Sequence, residues 1–362
     1  MVVRVRRSTA LIAVGALLVA ACGSDSNASP NAASPSPAGS ASSATSPAPS
    51  GTTTAVAGAD AWANIPQIVA QVEPSVTSIL QDNGEGSGVV WNADGVVVTN
   101  NHVVEGVDKV VVVYADGKRA DGKVLATDPL SDLAVVQTDR KDAPPATFAT
   151  AVPPVGSLAI ALGNPLGFEN SATAGIISGS HRAIPGAASQ APGLVDLVQT
   201  DAAISPGNSG GALVGSDTKV IGVNVAYIPP SAGSVSIGFA IPAPTVTDVV
   251  DQLLKNGRAQ HAYLGVLPEP LTPEIVEQFG IPVSEGALVV EVPKGSPADK
   301  AGIQPGDVIT GIDDAPVSTV EDLLGALRQH KPGDKVSVKV VRDGKEQTID
   351  VTVGDFPTSS SQ

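Results

Sequence analysis

The chain has 362 residues, with 36 acidic against 21 basic side chains and a formal net charge of −15. That acidic balance, with no basic cluster beyond the leader, excludes a nucleic-acid-binding face and an electrostatic membrane-binding one. The single cysteine, Cys22, excludes internal disulfides, so stability rests on hydrophobic cores, and the chain is long enough for two sizeable ones.

Arg4, Arg6 and Arg7 precede an apolar run from Ala10 to Ala21 that ends in Val19-Ala20-Ala21-Cys22. A basic start, a short apolar stretch and small residues before a break describe a secretory signal peptide over residues 1–21. The run is short for a bilayer span. Val-Ala-Ala-Cys resembles a bacterial lipobox, which implies that Cys22 becomes the lipidated first residue of the mature chain and ties it to a membrane. From Gly23 to about Ala59 the chain is almost entirely Ser, Ala, Pro, Thr and Gly, without aromatic residues or periodicity. Such a stretch buries too little surface to fold, so residues 22–60 read as a lipidated cysteine followed by a disordered tether.

From Trp62 to about Pro244 short β-rich runs alternate with turn residues. They include Gly88-Val89-Val90-Trp91, Gly95-Val96-Val97-Val98-Thr99, Val110-Val111-Val112-Val113-Tyr114, Leu133-Ala134-Val135-Val136 and Val220-Ile221-Gly222-Val223-Asn224-Val225. Many short strands without helical periods between them predict a barrel or sandwich and disfavour a parallel α/β sheet. Pro153 to Gly167 and Ser178 to Leu194 read as looser stretches rich in Gly, Ala, Pro and Ser. The second has the look of a long surface loop.

Within this region Gly207-Asn208-Ser209-Gly210-Gly211 is a glycine-bracketed turn. It can expose the Ser209 hydroxyl and aim neighbouring backbone N–H groups at one point, the local geometry an acyl-transfer nucleophile needs. The same pentapeptide also suits a plain surface turn. No helix follows it, which disfavours a hydrolase whose nucleophile turn joins a strand to a helix. A serine nucleophile needs a base. Of His102, His181, His261 and His330, only His102 directly follows a strong β run, while His181 lies in a loop-like polar stretch and the other two fall outside the barrel region. The orienting carboxylate is expected at Asp132, just before an apolar strand, where burial requires a partner. Asp128, opening an Asp-Pro turn, is the weaker candidate.

After Pro244 the period changes. Thr245 to Lys255 has helical spacing of Val246, Val249, Val250, Leu253 and Leu254 and is closed by Asn256-Gly257. Strands are expected over Ala287 to Val292 and Val336 to Val341, with a helix over Val320 to Gln329.

Thr-Asn-Asn-His-Val-Val ending at Val104, Ser-Asp-Leu-Ala-Val at 131–135 and Gly-Asn-Ser-Gly-Gly at 207–211 resemble the HtrA (DegP-like) serine proteases. Gly86-Ser87-Gly88-Val89 and Gly163-Asn164-Pro165-Leu166-Gly167 fit the same pattern. Tyr263-Leu264-Gly265-Val266, Gly295-Ser296-Pro297-Ala298 and Gly302 to Ile309 resemble an HtrA-type PDZ domain.

The resemblance implies a mainly β protein. A two-barrel chymotrypsin-like protease domain (residues 61–257) would precede a smaller α+β PDZ domain (258–354), with a disordered tail at 355–362. It implies His102 as general base, Asp132 as its partner, Ser209 as nucleophile and an oxyanion hole at Gly207, Asn208 and Ser209. Asn208 stands where digestive trypsin-like enzymes carry an activating aspartate, so no zymogen switch of that kind is expected. Ala203 and Ile204 occupy the specificity-pocket positions, and their uncharged side chains predict cleavage after small or medium aliphatic residues. Peptide C-termini would bind at Tyr263, Leu264, Gly265 and Val266, against Leu324 and Leu327, although leucines at helical spacing also suit a core. The 178–194 stretch would be a sensor loop. No cofactor or metal is implied. The expected partners are unfolded or misfolded envelope proteins and further copies of the chain in a homotrimer. A regulatory protease cutting one membrane partner and a chaperone-like peptide-binding scaffold are the rival readings.

Overall fold

The structure, a computed structural model, describes residues 62–82, 84–164, 171–184, 194–228 and 237–357. The leader, Cys22, the tether and the middle of the 178–194 stretch lie outside them.

Helix α1 (Ile65–Val72) carries Pro66 in its first turn and buries Ile68 and Val72. Proline suits that position because its missing N–H has no helical partner there. An unbroken series of strands is the sequence expectation here, so α1 departs from it. A 3-10 turn (Glu73–Ser75) leads into six strands: β1 (Val76–Gln81), β2 (Gly84–Val90), β3 (Val96–Thr99), β4 (Lys109–Tyr114), β5 (Arg119–Asp128) and β6 (Leu133–Thr138). They close into a barrel in the order β1-β2-β3-β6-β5-β4. A second closed barrel, in the order β10-β11-β12-β9-β8-β7, uses β7 (Leu158–Gly163), β8 (Ser171–Arg182), β9 (Leu197–Thr200), β10 (Ala212–Val214), β11 (Val220–Ile228) and β12 (Ile237–Pro242).

The period of two along these strands explains how the barrels join. In β3, Val97 points into the first barrel's own core, while Val96 and Val98 enter a core shared by both barrels. In β6, Ala134 and Val136 fill the first barrel, and Leu133 and Val135 face the shared core. In β7, Ala159 and Ala161 fill the second barrel, and Leu158, Ile160 and Leu162 meet the shared core. Strands covered on both faces read as continuous apolar runs and not as alternating ones. Each fully buried Leu or Ile there contributes roughly 1.5–3 kcal/mol of transfer free energy. Helix α2 (Ala243–Asn256) buries Val246, Val249, Val250 and Leu253 in the same core, touching β5 and β6 of one barrel and β11 and β12 of the other. Gly257, at φ 73°, stops it.

The C-terminal domain contains β13 (Ala262–Tyr263), β14 (Leu267–Pro270), α3 (Pro273–Phe279), β15 (Ala287–Glu291), α4 (Pro297–Ala301), β16 (Val308–Ile312), β17 (Ala315–Pro316), α5 (Val320–Arg328), β18 (Lys335–Arg342), β19 (Lys345–Thr352) and β20 (Gly354–Asp355). Its main sheet runs β14-β15-β16-β18-β19 and leaves β14 at an edge; β13 pairs with β20. The Asp307 carboxylate, buried, takes a two-pronged bond from Arg342 at 2.6 and 2.7 Å.

Several expectations are corrected. The stretch from Pro153 to Gly167, read as loose, contains β7, which is buried along its whole length. His181, expected in a loop, stands near the end of β8 at φ 53°, with Nδ1 2.6 Å from Asp196 Oδ1. Asp355, expected to open a disordered tail, is part of the fold. Asp355 lies in β20 and bonds Arg258 at 2.9 Å, and the Phe356 N–H donates to the His261 carbonyl at 2.9 Å.

Candidate active site

The two barrels bring three loops together. His102 follows the end of β3, Asp132 immediately precedes β6, and Ser209 lies in the connection between β9 and β10. Asp132 adopts φ 54°, a left-handed backbone that a non-glycine residue holds only when its surroundings impose it. Four hydrogen bonds impose it. The Asp132 carbonyl accepts from Asn101 N at 3.1 Å and from Asn100 Nδ2 at 3.0 Å. Its carboxylate accepts from the His102 N–H at 2.9 Å and meets His102 Nδ1 at 2.7 Å. The pair is asymmetric in exposure, with the His102 side chain 44% accessible and that of Asp132 10%. Burial pulls the imidazole pKa down, but the Asp132 hydrogen bond and charge, with Glu105 adding to them, outweigh it and hold it above 6.5. With Nδ1–H given to the carboxylate, Nε2 is left as the basic nitrogen.

The serine turn is built on glycines that nothing larger can replace. Gly210 sits at φ 84°, and a Cβ there would lie 2.2 Å from the Ser87 carbonyl and 2.4 Å from Thr99 Oγ1. Gly86 lies between Val103 and the turn. A Cβ on it would be 2.7 Å from the Val103 methyls and 3.2 Å from the Ser209 carbonyl oxygen, so the residue beside His102 and the serine meet over this glycine. The Ser209 hydroxyl donates to the Val225 carbonyl at 3.3 Å. Among the described residues it makes no hydrogen bond to His102.

Of the three positions expected to line an oxyanion hole, the N–H groups of Gly207 and Ser209 donate to no described residue. Gly207 is buried, where an N–H without a described partner is uncommon and leaves a donor available. Asn208 departs from the expectation because its N–H is already given to the Ser205 carbonyl at 3.0 Å. At the specificity positions, Ala203 is exposed and Ile204 is packed in the second barrel's core. A Cβ on Gly238 would come within 2.8 Å of Ile204 Cδ1. Sequence reading missed Ser87. It is buried, donates N–H to the Ser209 carbonyl at 2.7 Å and Oγ to the Gly207 carbonyl at 2.6 Å. Its only signal in the sequence is its place in Gly86-Ser87-Gly88-Val89.

In the C-terminal domain the N–H groups of Leu264, Gly265 and Val266 make no bond to described residues. They lie between β13 and the free edge of β14. Ala298 N donates to the Leu264 carbonyl at 2.9 Å and Ser296 Oγ to the Gly265 carbonyl at 3.0 Å, which fixes the loop from behind. The Tyr263 ring meets Phe356 edge-on at 5.4 Å. The side chains of Leu264 and Leu327, expected as ligand contacts, are buried in the domain core. Leu324 is only partly buried, and Leu264 offers its N–H.

Paired closed barrels with a His–Asp pair and a glycine-held serine turn at their junction define a trypsin-like peptidase architecture, here followed by a peptide-binding type of α+β domain. Residues 86–223 match the trypsin-like peptidase domain family and residues 262–353 the PDZ domain family. The chain is 38% identical over 273 residues to a probable periplasmic serine endoprotease, DegP-like, of Pseudomonas fulva (strain 12-X), covering 75% of this chain and 56% of that relative. It is 40% identical over 278 residues to the like-named protein of Chlamydia muridarum (strain MoPn / Nigg), covering 76% and 55%. Among solved structures it is similar to the HtrA-type protease AlgW with decapeptide, at TM-score 0.66 and 32% identity over 81% of this chain and 99% of that one. Similarity to the serine endoprotease from Yersinia pestis is at TM-score 0.59 and 28% identity, over 81% and 98%. The chain belongs to the HtrA-type serine proteases. It spans little more than half the length of the curated relatives it matches.

Proposed function

We propose that the chain is an exported, lipid-anchored serine endopeptidase that hydrolyses unfolded or damaged envelope proteins without ATP. The observation that carries the reading is the His102–Asp132 pair standing beside a serine turn whose Gly207 and Ser209 N–H groups donate to no described residue. His102 Nε2 takes the Ser209 proton as Oγ attacks the scissile carbonyl. Asp132 keeps the ring in its tautomer and stabilises the imidazolium. The two N–H groups receive the negative oxygen of the tetrahedral intermediate. The imidazolium then protonates the leaving amine, and water releases the acyl group by the same route. Ala203 and Ile204 set a preference for small or medium aliphatic residues before the cut; a fluorogenic library in which Lys or Arg substrates dominate overturns that preference.

The leader and Cys22 support an extracytoplasmic, membrane-tethered location, in keeping with the periplasmic naming of the relatives. Peptide C-termini, as substrates or regulators, add as a strand at the free edge of β14, with their carboxylate on the Leu264–Val266 N–H groups. Protease domains assemble as trimers, raising the local density of sites. A second reading, a protease that acts when its PDZ domain senses a peptide, is favoured by the decapeptide and tripeptide carried by the AlgW structures.

Digestion of an unfolded protein by wild type and Ser209→Ala, with and without a hydrophobic C-terminal peptide, tests both. Undiminished cleavage by Ser209→Ala overturns the mechanism. Cleavage only with peptide selects the regulatory reading.

A further inference from the structure

We propose that Ser87, carried on the first barrel, is a positioning residue for the oxyanion hole of the second; this rests on the catalytic reading above. Between Gly207 and Gly210 the peptide units alternate. The 207–208 unit is held at both ends, its carbonyl accepting from Ser87 Oγ at 2.6 Å and its N–H donating to the Ser205 carbonyl at 3.0 Å. The 209–210 unit is held likewise, its carbonyl accepting from Ser87 N at 2.7 Å and its N–H donating to the Asn224 carbonyl at 2.8 Å. The Gly207 and Ser209 N–H groups belong to the neighbouring units and donate to no described residue. A planar unit fixed at both C=O and N–H resists rotation, and each neighbour inherits its direction through the shared Cα. Ser87 supplies one fixing partner to each held unit.

Ser87 is itself immobilised. It is fully buried, its carbonyl accepts from Thr99 Oγ1 at 2.6 Å, and its hydroxyl accepts from Asn164 N at 2.9 Å. A serine hydroxyl has one proton to give. With Asn164 N–H bound to the oxygen, that proton is directed to the Gly207 carbonyl. The free rotation that glycine, at φ 94°, would otherwise allow at position 207 is thereby restrained. The hole therefore lies on the second barrel but takes its aim from the first.

The test is Ser87→Ala in the full chain. Turnover of a fluorogenic peptide should fall about 10- to 100-fold, less than the loss from deleting a direct oxyanion donor, with KM within about threefold of wild type. A peptidyl aldehyde, whose adduct places an oxyanion in the hole, should weaken in proportion, while the same peptide ending in an alcohol should bind unchanged. Wild-type kcat in folded Ser87→Ala, or equal weakening of aldehyde and alcohol, overturns the proposal. Should Ser87→Ala fail to fold, Ser87→Cys keeps the volume with a weak donor and must show the same kcat loss; unimpaired kcat there is equally fatal. A wild type that neither cuts peptides nor reacts with a fluorophosphonate at Ser209 overturns the catalytic reading itself and the role of Ser87 with it. An active wild type beside an unimpaired variant removes only the role of Ser87.

Discussion

His102 carries opposing influences, and their balance predicts a pH profile. Burial favours the neutral ring, while Asp132, first through its hydrogen bond and then its charge, favours the imidazolium and prevails. A general base works only when neutral, so kcat/KM should rise with pH through a midpoint above 6.5. Asp132→Asn removes the hydrogen bond to a charged partner and its charge, leaving only Glu105 against burial. Its midpoint should drop below the wild-type value while turnover falls about 10⁴-fold through loss of the correct tautomer. A pH–rate series on the two proteins checks this, and an unmoved midpoint contradicts the assigned pairing. Gly210 gives a second residue-scale prediction. Gly210→Ala forces a Cβ into the Ser87 carbonyl at φ 84°. It should cost more than about 1 kcal/mol in thermal stability and abolish fluorophosphonate labelling of Ser209. Full labelling would show that the turn can shift to make room.

Helix α5 tests the reasoning one level up. Thr319 caps it, accepting from Asp322 N at 3.0 Å, while Asp322 returns the bond to the Thr319 N–H at 3.0 Å. Its buried side holds Val320, Leu323 and Leu327. Thr319→Ala should cost about 1 kcal/mol and Leu323→Ala about 2–5 kcal/mol, read by urea unfolding of the C-terminal domain. Equal costs would mean that packing does not dominate this helix. The expected span of Val320 to Gln329 differs from the observed one by a single residue, because the helical spacing of its apolar residues is a local signal. The His102–Asp132 contact and the glycine-held turn at Ser209 were legible for a similar reason: each residue sits in a short motif next to a strand run. What the sequence concealed depends on distant partners. β7 alternates Ala with Leu and Ile because its two faces enter different cores, and without knowledge of the second core it reads as a loose stretch. α3, capped by Thr272 and with no buried residue, offers no apolar face to detect. Ser87 matters through residues more than seventy positions away, so no local pattern announces it.

At the scale of the molecule the C-terminal domain touches the loop that carries Asp132. His261 Nε2 lies 2.8 Å from Asp128 Oδ2, and the Ser131 hydroxyl donates to the same oxygen. Arg328 Nη2 donates to the Leu130 carbonyl at 3.5 Å, and Gln329 Nε2 to Asp196 Oδ2 at 2.7 Å. Asp128, the weaker carboxylate candidate in the sequence, is therefore a buried anchor four residues before Asp132. Burial alone would raise its carboxyl pKa, but His261, Ser131 and Arg328 together hold it below the ordinary 3.8. A depressed folded-state value means that this stabilisation is complete above 3.8 and is lost as pH falls through the lower, folded-state value. The Asp128 carboxylate itself thus stays ionised across the range in which His102 titrates, so its own protonation is separate from that of the base. His261→Ala at pH 7 leaves the Asp128 carboxylate short of a partner, a loss of about 1–3 kcal/mol, and leaves the segment between Gly257 and Ala262 held mainly by its bonds to Asp355. Trypsin should then cut after Arg258 faster than in wild type, while the midpoint of the pH–rate profile stays where His102 and Asp132 put it. An unchanged cutting rate would mean that the other contacts hold the domain alone. A shifted midpoint would mean that the contact reaches Asp132 itself, and the loop from 128 to 132 would then transmit the position of the C-terminal domain to the base.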